Sequence, residues 1–308
     1  MNRRLLHILL PALLLSVGAG AQEVAPVSES LTFLAQPRSA HSLGMAGAGN
    51  ASPNASAAFA AFGNPAILPS GKLDASLSYA RWAPGSSLSL SNQMDGGVAV
   101  RLGKGFALSG AAVYQMHAAQ AFGGKQGAYA PSDLAAGIGI GAAFNEHFSL
   151  GVSVRYARQQ LLPDYVLSGV AVNALLQYRL RAFTMAAGVM NVGAGPKSES
   201  GTGRLPASAH LAADYLFALG ANHSIEAALD GDYYFSGKWG VSVGACYSFR
   251  RVLFARAGYR AAAVGAALPS HLSLSLGGQW KGVCLDLCYL TANPVLGNSL
   301  SLQLGYRF

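Results

Sequence analysis

Charged residues make up only 11% of this 308-residue chain, against roughly 25% in an ordinary soluble domain. With 52% apolar residues and so little charge, a water-exposed globular surface is hard to build. Long apolar runs are missing too. Beyond the amino-terminus nothing approaches the roughly 20 consecutive apolar residues of a membrane-spanning helix, which excludes a helical membrane protein. Cysteine is scarce: Cys246, Cys284 and Cys288 are an odd number for an exported chain. Cys284 and Cys288 lie about 13 Å apart by strand rise, beyond disulfide reach, and no His stands at zinc-ligand spacing, so all three read as small packing residues. Basic runs are absent as well, which argues against nucleic acid as a partner.

What fills the chain instead is alternation. Its last ten residues place Leu300, Leu302, Leu304, Tyr306 and Phe308 on one face of a strand and Ser301, Gln303, Gly305 and Arg307 on the other. In a soluble sheet the apolar face is the core; in an outer-membrane barrel it faces lipid and the small, polar face lines the lumen. The dispersed hydrophobicity and the 38 glycines favour the barrel.

Asn2-Arg3-Arg4, the apolar stretch Leu5 to Val17 and Ala19-Gly20-Ala21 form a secretory signal peptide over residues 1–21. Its removal takes away Arg3 and Arg4 and leaves 19 basic against 13 acidic residues. Residues 22–71 do not alternate and are rich in Ala, Gly, Ser, Asn and Pro, so they fold apart from the strands. From residue 72 to 308 the alternation scarcely stops, and fourteen outward-facing series can be read, an even number as bacterial single-chain barrels have. The series end with Leu285, Leu287 and Tyr289 and with the carboxy-terminal strand. The predicted fold is all-β: an antiparallel transmembrane barrel with an amino-terminal plug in its lumen.

Connections alternate in length, as barrel topology requires. Short turns fall at 103–105, 145–146, 180–181, 219–222, 249–251 and 281–282, and longer linkers at 118–132, 158–165, 193–204, 261–269 and 291–298. That asymmetry places both termini in the periplasm. Ten tyrosines, among them Tyr79, Tyr156, Tyr215 and Tyr306, fall on the apolar face near strand ends, the positions of interfacial aromatic belts. The inward face carries charges of both signs, including Asp74, Arg101, Asp133, Arg155, Glu226 and Arg260. Such a set pairs internally and makes a salt-bridge network a better reading than an ion-selectivity ring.

No catalytic, cofactor or metal site stands out. Ser208 and His210 share a strand face, but Asp214 lies about 13 Å beyond His210 by strand rise, too far to orient it. The GxGxG of 137–141 and the Gly-Pro-Lys-Ser of 195–198 lack the strand-to-helix setting of nucleotide loops. The glycine pair Gly96 and Gly97 interrupts an outward apolar series, the mark of a kink or bulge.

The stretch Phe33-Leu-Ala-Gln-Pro-Arg-Ser-Ala-His-Ser-Leu-Gly-Met-Ala-Gly-Ala-Gly-Asn-Ala-Ser52, followed by Phe62-Gly-Asn-Pro-Ala66, resembles the amino-terminal pattern of FadL-like outer-membrane barrels, and within them the PorV/PorQ branch of Bacteroidetes-type bacteria. Leu205-Pro206-Ala207, the strand ending Ala257-Gly-Tyr-Arg260 and Leu285-Asp286-Leu287 share that likeness, whereas the external connections are short for the branch. The resemblance implies a fourteen-strand barrel closed by a plug, with Gly44, Gly47 and Gly49 as its glycine-rich stretch, Asn64, Pro65 and Ala66 as its turn, and Gly96 and Gly97 at a lateral opening. Tyr306 and Phe308 would be read by the barrel-assembly machinery as the insertion signal. Two functions follow from it: association with type IX secretion components, or passive import of a hydrophobic small molecule. A lumen face that is small and polar apart from Val113, Leu175 and Met190 favours the secretion-associated role.

Overall fold

The structure, a computed structural model, describes residues 29–82, 90–103, 105–121, 128–198, 201–291 and 298–308. The expected leader, 1–21, lies outside them. Among the described residues fourteen antiparallel strands close into one barrel. In chain order they are β1 (Leu73–Trp82), β2 (Ser91–Arg101), β3 (Phe106–His117), β4 (Ser132–Ala143), β5 (Phe148–Leu162), β6 (Tyr165–Leu180) and β7 (Phe183–Ala194). The second half comprises β8 (Ser208–Ala218), β9 (His223–Tyr234), β10 (Trp239–Phe249), β11 (Leu253–Ala262), β12 (His271–Trp280), β13 (Val283–Thr291) and β14 (Ser299–Arg307).

Each strand pairs with the next, and β14 returns to β1 with Leu77 opposite Leu304, so no edge is left unpaired. Alternation does the sorting. Leu77, Ile138, Leu229, Leu276 and Leu302 stand exposed on the outer face, with Tyr79, Tyr114, Tyr156, Tyr215, Tyr233, Tyr247, Tyr259 and Tyr306 beside them. The inward positions of the same strands are buried and small or polar. An apolar exterior of this extent would be costly in water, at about 25 cal/mol per Å², and is stable only against lipid.

Residues 29–71 run lengthwise through the lumen. Glu29 accepts a hydrogen bond from Ser236, and the Ser30 amide donates to the Arg204 carbonyl at 2.7 Å; both partners lie at the end of the barrel that carries the longer connections. The segment makes a helical turn at Thr32–Ala35, the short helix α1 (Ala40–Gly44) and a second turn at Ala57–Phe59. It leaves at the tight-turn end, where Leu73 and Phe308 exchange backbone hydrogen bonds of 2.8 and 2.9 Å. The largest interior cluster joins Phe33, Leu34, Phe59 and Phe62 of this segment to Val113 of β3, Ala135 of β4, Ala157 of β5 and Ala171 of β6. A smaller one packs Leu43 against Trp82 and Leu290.

Two expectations need correction. The linker at 158–165 is not long: β5 and β6 extend to Leu162 and Tyr165 across a register shift near Gln160. Arg158, Gln159 and Gln160 are polar on both faces, which hid the strand from a reading based on period two. In addition, Gly96 and Gly97 make no bulge: β2 stays in register through both, with Leu77 and Ser76 opposite on β1 and Ala112 and Ala111 opposite on β3. A register shift does occur on β7, where Val172 faces Val192 but Ala174 faces Val189 and Asn191 takes a left-handed φ of 56°, the signature of a bulge.

Candidate functional site

Plug and wall meet wherever glycine permits it. Gly47 and Gly49 have φ of 94° and 91°, conformations that a residue with a side chain rarely adopts. Gly44 lies so close to β12 that a Cβ would sit 2.4 Å from the Ser275 Cβ. The wall answers in kind. A Cβ on Gly244 or Gly258 would meet Met45, and one on Gly97 would stand 2.3 Å from the Ala58 carbonyl oxygen. Gly97 thus makes room for the plug, while Gly96 points outward toward Leu77.

The Asn64-Pro65-Ala66 turn is seated the same way on β4 and β5. Cβ atoms on Gly141 and Gly151 would fall 2.6 and 2.1 Å from Pro65 backbone atoms. Asn64 closes the turn by accepting from the Ala66 amide at 2.9 Å and donates to the Asn50 carbonyl and to Gln177, at 2.9 and 2.7 Å. Ser149 donates to the Ala66 carbonyl at 3.0 Å. Gly44, Gly47, Gly49, Asn64, Pro65 and Ala66 are therefore all contact points between plug and wall.

Carboxylates of the wall hold the rest. Glu226 takes His41 at 2.9 Å and Asn54 at 2.7 Å. Asp230 accepts from the Gly49 and Asn50 amides at 2.9 and 3.2 Å and from the Asn50 side chain at 2.9 Å. Asp74 accepts from the Ala57 amide at 2.9 Å and from Ser56 at 3.0 Å. Arg38, itself a plug residue, lies 3.8 Å from Asp95 and donates to the Phe33 carbonyl. Charge-assisted hydrogen bonds of this kind contribute about 1.5–3 kcal/mol each, so the plug is clamped rather than merely enclosed. On the opposite wall Arg155 donates to Asn173, Asn191 and the Phe62 carbonyl and lies over the Phe62 ring at 5.3 Å.

The histidine that could anchor a hydrolytic triad is spoken for. His210 Nδ1 lies 2.8 Å from Asp232 and its Nε2 3.5 Å from Asp230, while Arg260 bonds Asp232 at 2.8 Å. With both ring nitrogens set against carboxylates, the ring has none left to take a proton from Ser208. Asp214 is buried elsewhere on the same strand and makes no ion pair with His210 among the described residues. Cys246, Cys284 and Cys288 are buried and free. Tyr306 and Phe308 project outward at the tight-turn end, 43% and 67% exposed.

Cavities remain around the plug among the described residues. One of about 60 Å³ lies deep, beside His210, Asn191 and Tyr234. Two open at the tight-turn end, of about 400 Å³ beside Arg256 and Arg307 and about 230 Å³ beside Arg101 and Arg179.

The toluene transporter TodX of Pseudomonas putida has a similar structure, with a TM-score of 0.63 at 14% identity over 91% of this chain and 98% of that one. The toluene transporter TbuX of Ralstonia pickettii gives 0.63 at 12% identity over 90% and 100%, and a FadL homologue of Pseudomonas aeruginosa 0.56 at 14% over 88% and 99%. The fold is that of the FadL-type outer-membrane barrels. No protein-family model and no curated protein matches the sequence. Within the FadL-type fold, the plug contacts stand out in the sequence only as glycines and one Asn-Pro turn. Asp95 and Gln93 escaped notice because Met94, Gly96 and Gly97 blur the alternation of β2, and the Asn191 bulge has no local signal at all.

Proposed function

We propose that this protein resides in the outer membrane, inserted through the barrel-assembly machinery with its apolar belt against lipid, and lets small hydrophobic molecules cross passively past its plug. One observation carries the reading: the lumen is divided. Asp74, Asp95, Glu226 and Asp230, on β1, β2 and β9, hold much of the plug by polar bonds, whereas toward β3–β6 Phe33, Leu34, Phe59 and Phe62 pack in an apolar cluster with Val113, Leu205 and a row of alanines, with Arg155 lying over the Phe62 ring. Apolar packing of this sort is non-directional, so a small apolar solute can take the place of a plug side chain without stranding a polar group. The fold shared with two toluene transporters supports the same class of solute. The test is uptake of radiolabelled toluene by cells that express the chain. Faster uptake than in vector controls, lost in Val113→Asp at equal folded protein, is expected, and uptake equal to the control refutes the reading.

A second reading, association with type IX secretion of the PorV/PorQ kind, draws support from the amino-terminal motif and from a lumen whose plug is bound by so many carboxylates. Affinity purification from outer membranes separates the two. Recovery of secretion components together with control-level toluene uptake favours the second.

A further inference from the structure

We propose that the 400 Å³ vestibule at the tight-turn end is a binding site for a small organic carboxylate. Its volume falls in the range of ligand pockets, about 300–1,000 Å³, and it is lined by Arg251, Arg256, Arg307, Phe254, Leu216 and Cys246. The acidic groups nearby are already engaged. Asp286 takes Arg256 Nη1 at 2.6 Å, Asp74 takes Arg307 Nε at 3.5 Å, and Glu226 takes His41 at 2.9 Å. The arginines are not used up. Arg251 makes no ion pair among the described residues, and Arg256, 8% exposed, keeps its Nε without an acceptor.

The surroundings add to this imbalance. The described tight turns carry Arg181, Arg250, Arg251 and Lys281 against one acidic residue, Glu146, and such an excess of positive charge at the rim draws counter-ions toward the vestibule. Arg256 lies over the Phe254 ring at 5.2 Å, which fixes the guanidinium plane. A planar fork so held favours a carboxylate, while Phe254, Leu216 and Cys246 offer an apolar wall to the body of the ligand. Inorganic anions would leave that wall uncovered.

Purified full-length barrel in detergent at low salt, titrated calorimetrically with sodium benzoate, tests the site. Benzoate is expected to bind at least tenfold more tightly than neutral benzamide and not to be displaced by an equal concentration of inorganic phosphate. Because Arg256→Gln alone would strand Asp286, the double variant Arg256→Gln/Asp286→Asn removes both charges and should weaken benzoate at least tenfold. Arg251→Gln, on an exposed turn, should weaken it three- to tenfold with the folded gel mobility retained. Absence of benzoate binding overturns the proposal, as does equal binding of benzamide, displacement by phosphate, or unchanged affinity in either folded variant; should the double variant not fold, Arg251→Gln decides.

Discussion

Adding one methyl group to Gly151 should destabilise the barrel although it lies within a strand. Glycine to alanine within a strand ordinarily helps, by about 0.4–1 kcal/mol, because it narrows the unfolded ensemble. At Gly151 the new Cβ would lie 2.1 Å from the Pro65 carbonyl carbon and the Ala66 nitrogen. These are backbone atoms and cannot rotate away. β5 is paired on both sides, with β4 and with β6, so the plug must yield, by roughly 1.5 Å to regain ordinary contact. That displacement pulls on the Ser149 to Ala66 bond of 3.0 Å and on the Asn64 to Gln177 bond of 2.7 Å. Overpacking costs about 1–3 kcal/mol and each of the two weakened buried hydrogen bonds about 0.5–1.5 kcal/mol, which, less the gain of about 0.4–1 kcal/mol in the unfolded state, leaves a net loss of about 1–5 kcal/mol. Gly231, where an added Cβ would meet nothing within 4 Å, is the control, and Gly231→Ala should be neutral or stabilising. The assay is the urea midpoint at which the folded, heat-modifiable band disappears, with planar-bilayer conductance as a second readout of plug displacement. Equal midpoints for Gly151→Ala and Gly231→Ala would refute the argument that backbone contact seats the plug.

Glu226→Gln removes the charge that holds His41 and Asn54; a loss of about 1–3 kcal/mol and more frequent conductance bursts are expected, and a silent bilayer trace like that of the parent would count against the clamp. Deleting Phe308 removes the two backbone hydrogen bonds with Leu73, so the heat-modifiable fraction in membranes should fall, and an unchanged fraction would disprove a role in closure. Gly97→Val should displace the plug through Ala58, whereas Gly96→Val, facing outward toward Leu77, should leave both folding and hydrophobic uptake intact; equal damage by both would revive a lateral opening at this pair.

Period-two alternation made the barrel legible because the pleat imposes it on every strand, and inward charges such as Asp74, Arg155 and Arg260 could be assigned from parity alone. The same rule fails where both faces are polar, as at Arg158 to Gln160, or where register depends on a neighbour, as at Asn191. Plug location could be inferred from Phe33, Phe59 and Phe62, apolar groups with no core of their own. Its direction could not: nothing in a non-alternating segment encodes which mouth it enters. Cys246, Cys284 and Cys288 read correctly as packing residues, since strand geometry alone keeps Cys284 from Cys288.

The lengthwise course of residues 29–71 has a bearing on the order of assembly. A segment that passes Arg204 at one mouth and Phe308 at the other is threaded through a ring whose seam, β1 against β14, joins the two extremities of the strand series. It must already lie across the curling sheet when that seam zips, since inserting it afterwards would require dragging buried carboxylate partners past one another in a lumen with little free space. Closure of the seam then traps what it encloses, and Asp74 on β1, bonded to both Arg307 of β14 and Ala57 of the plug, ties the last step of ring formation to a correctly threaded interior.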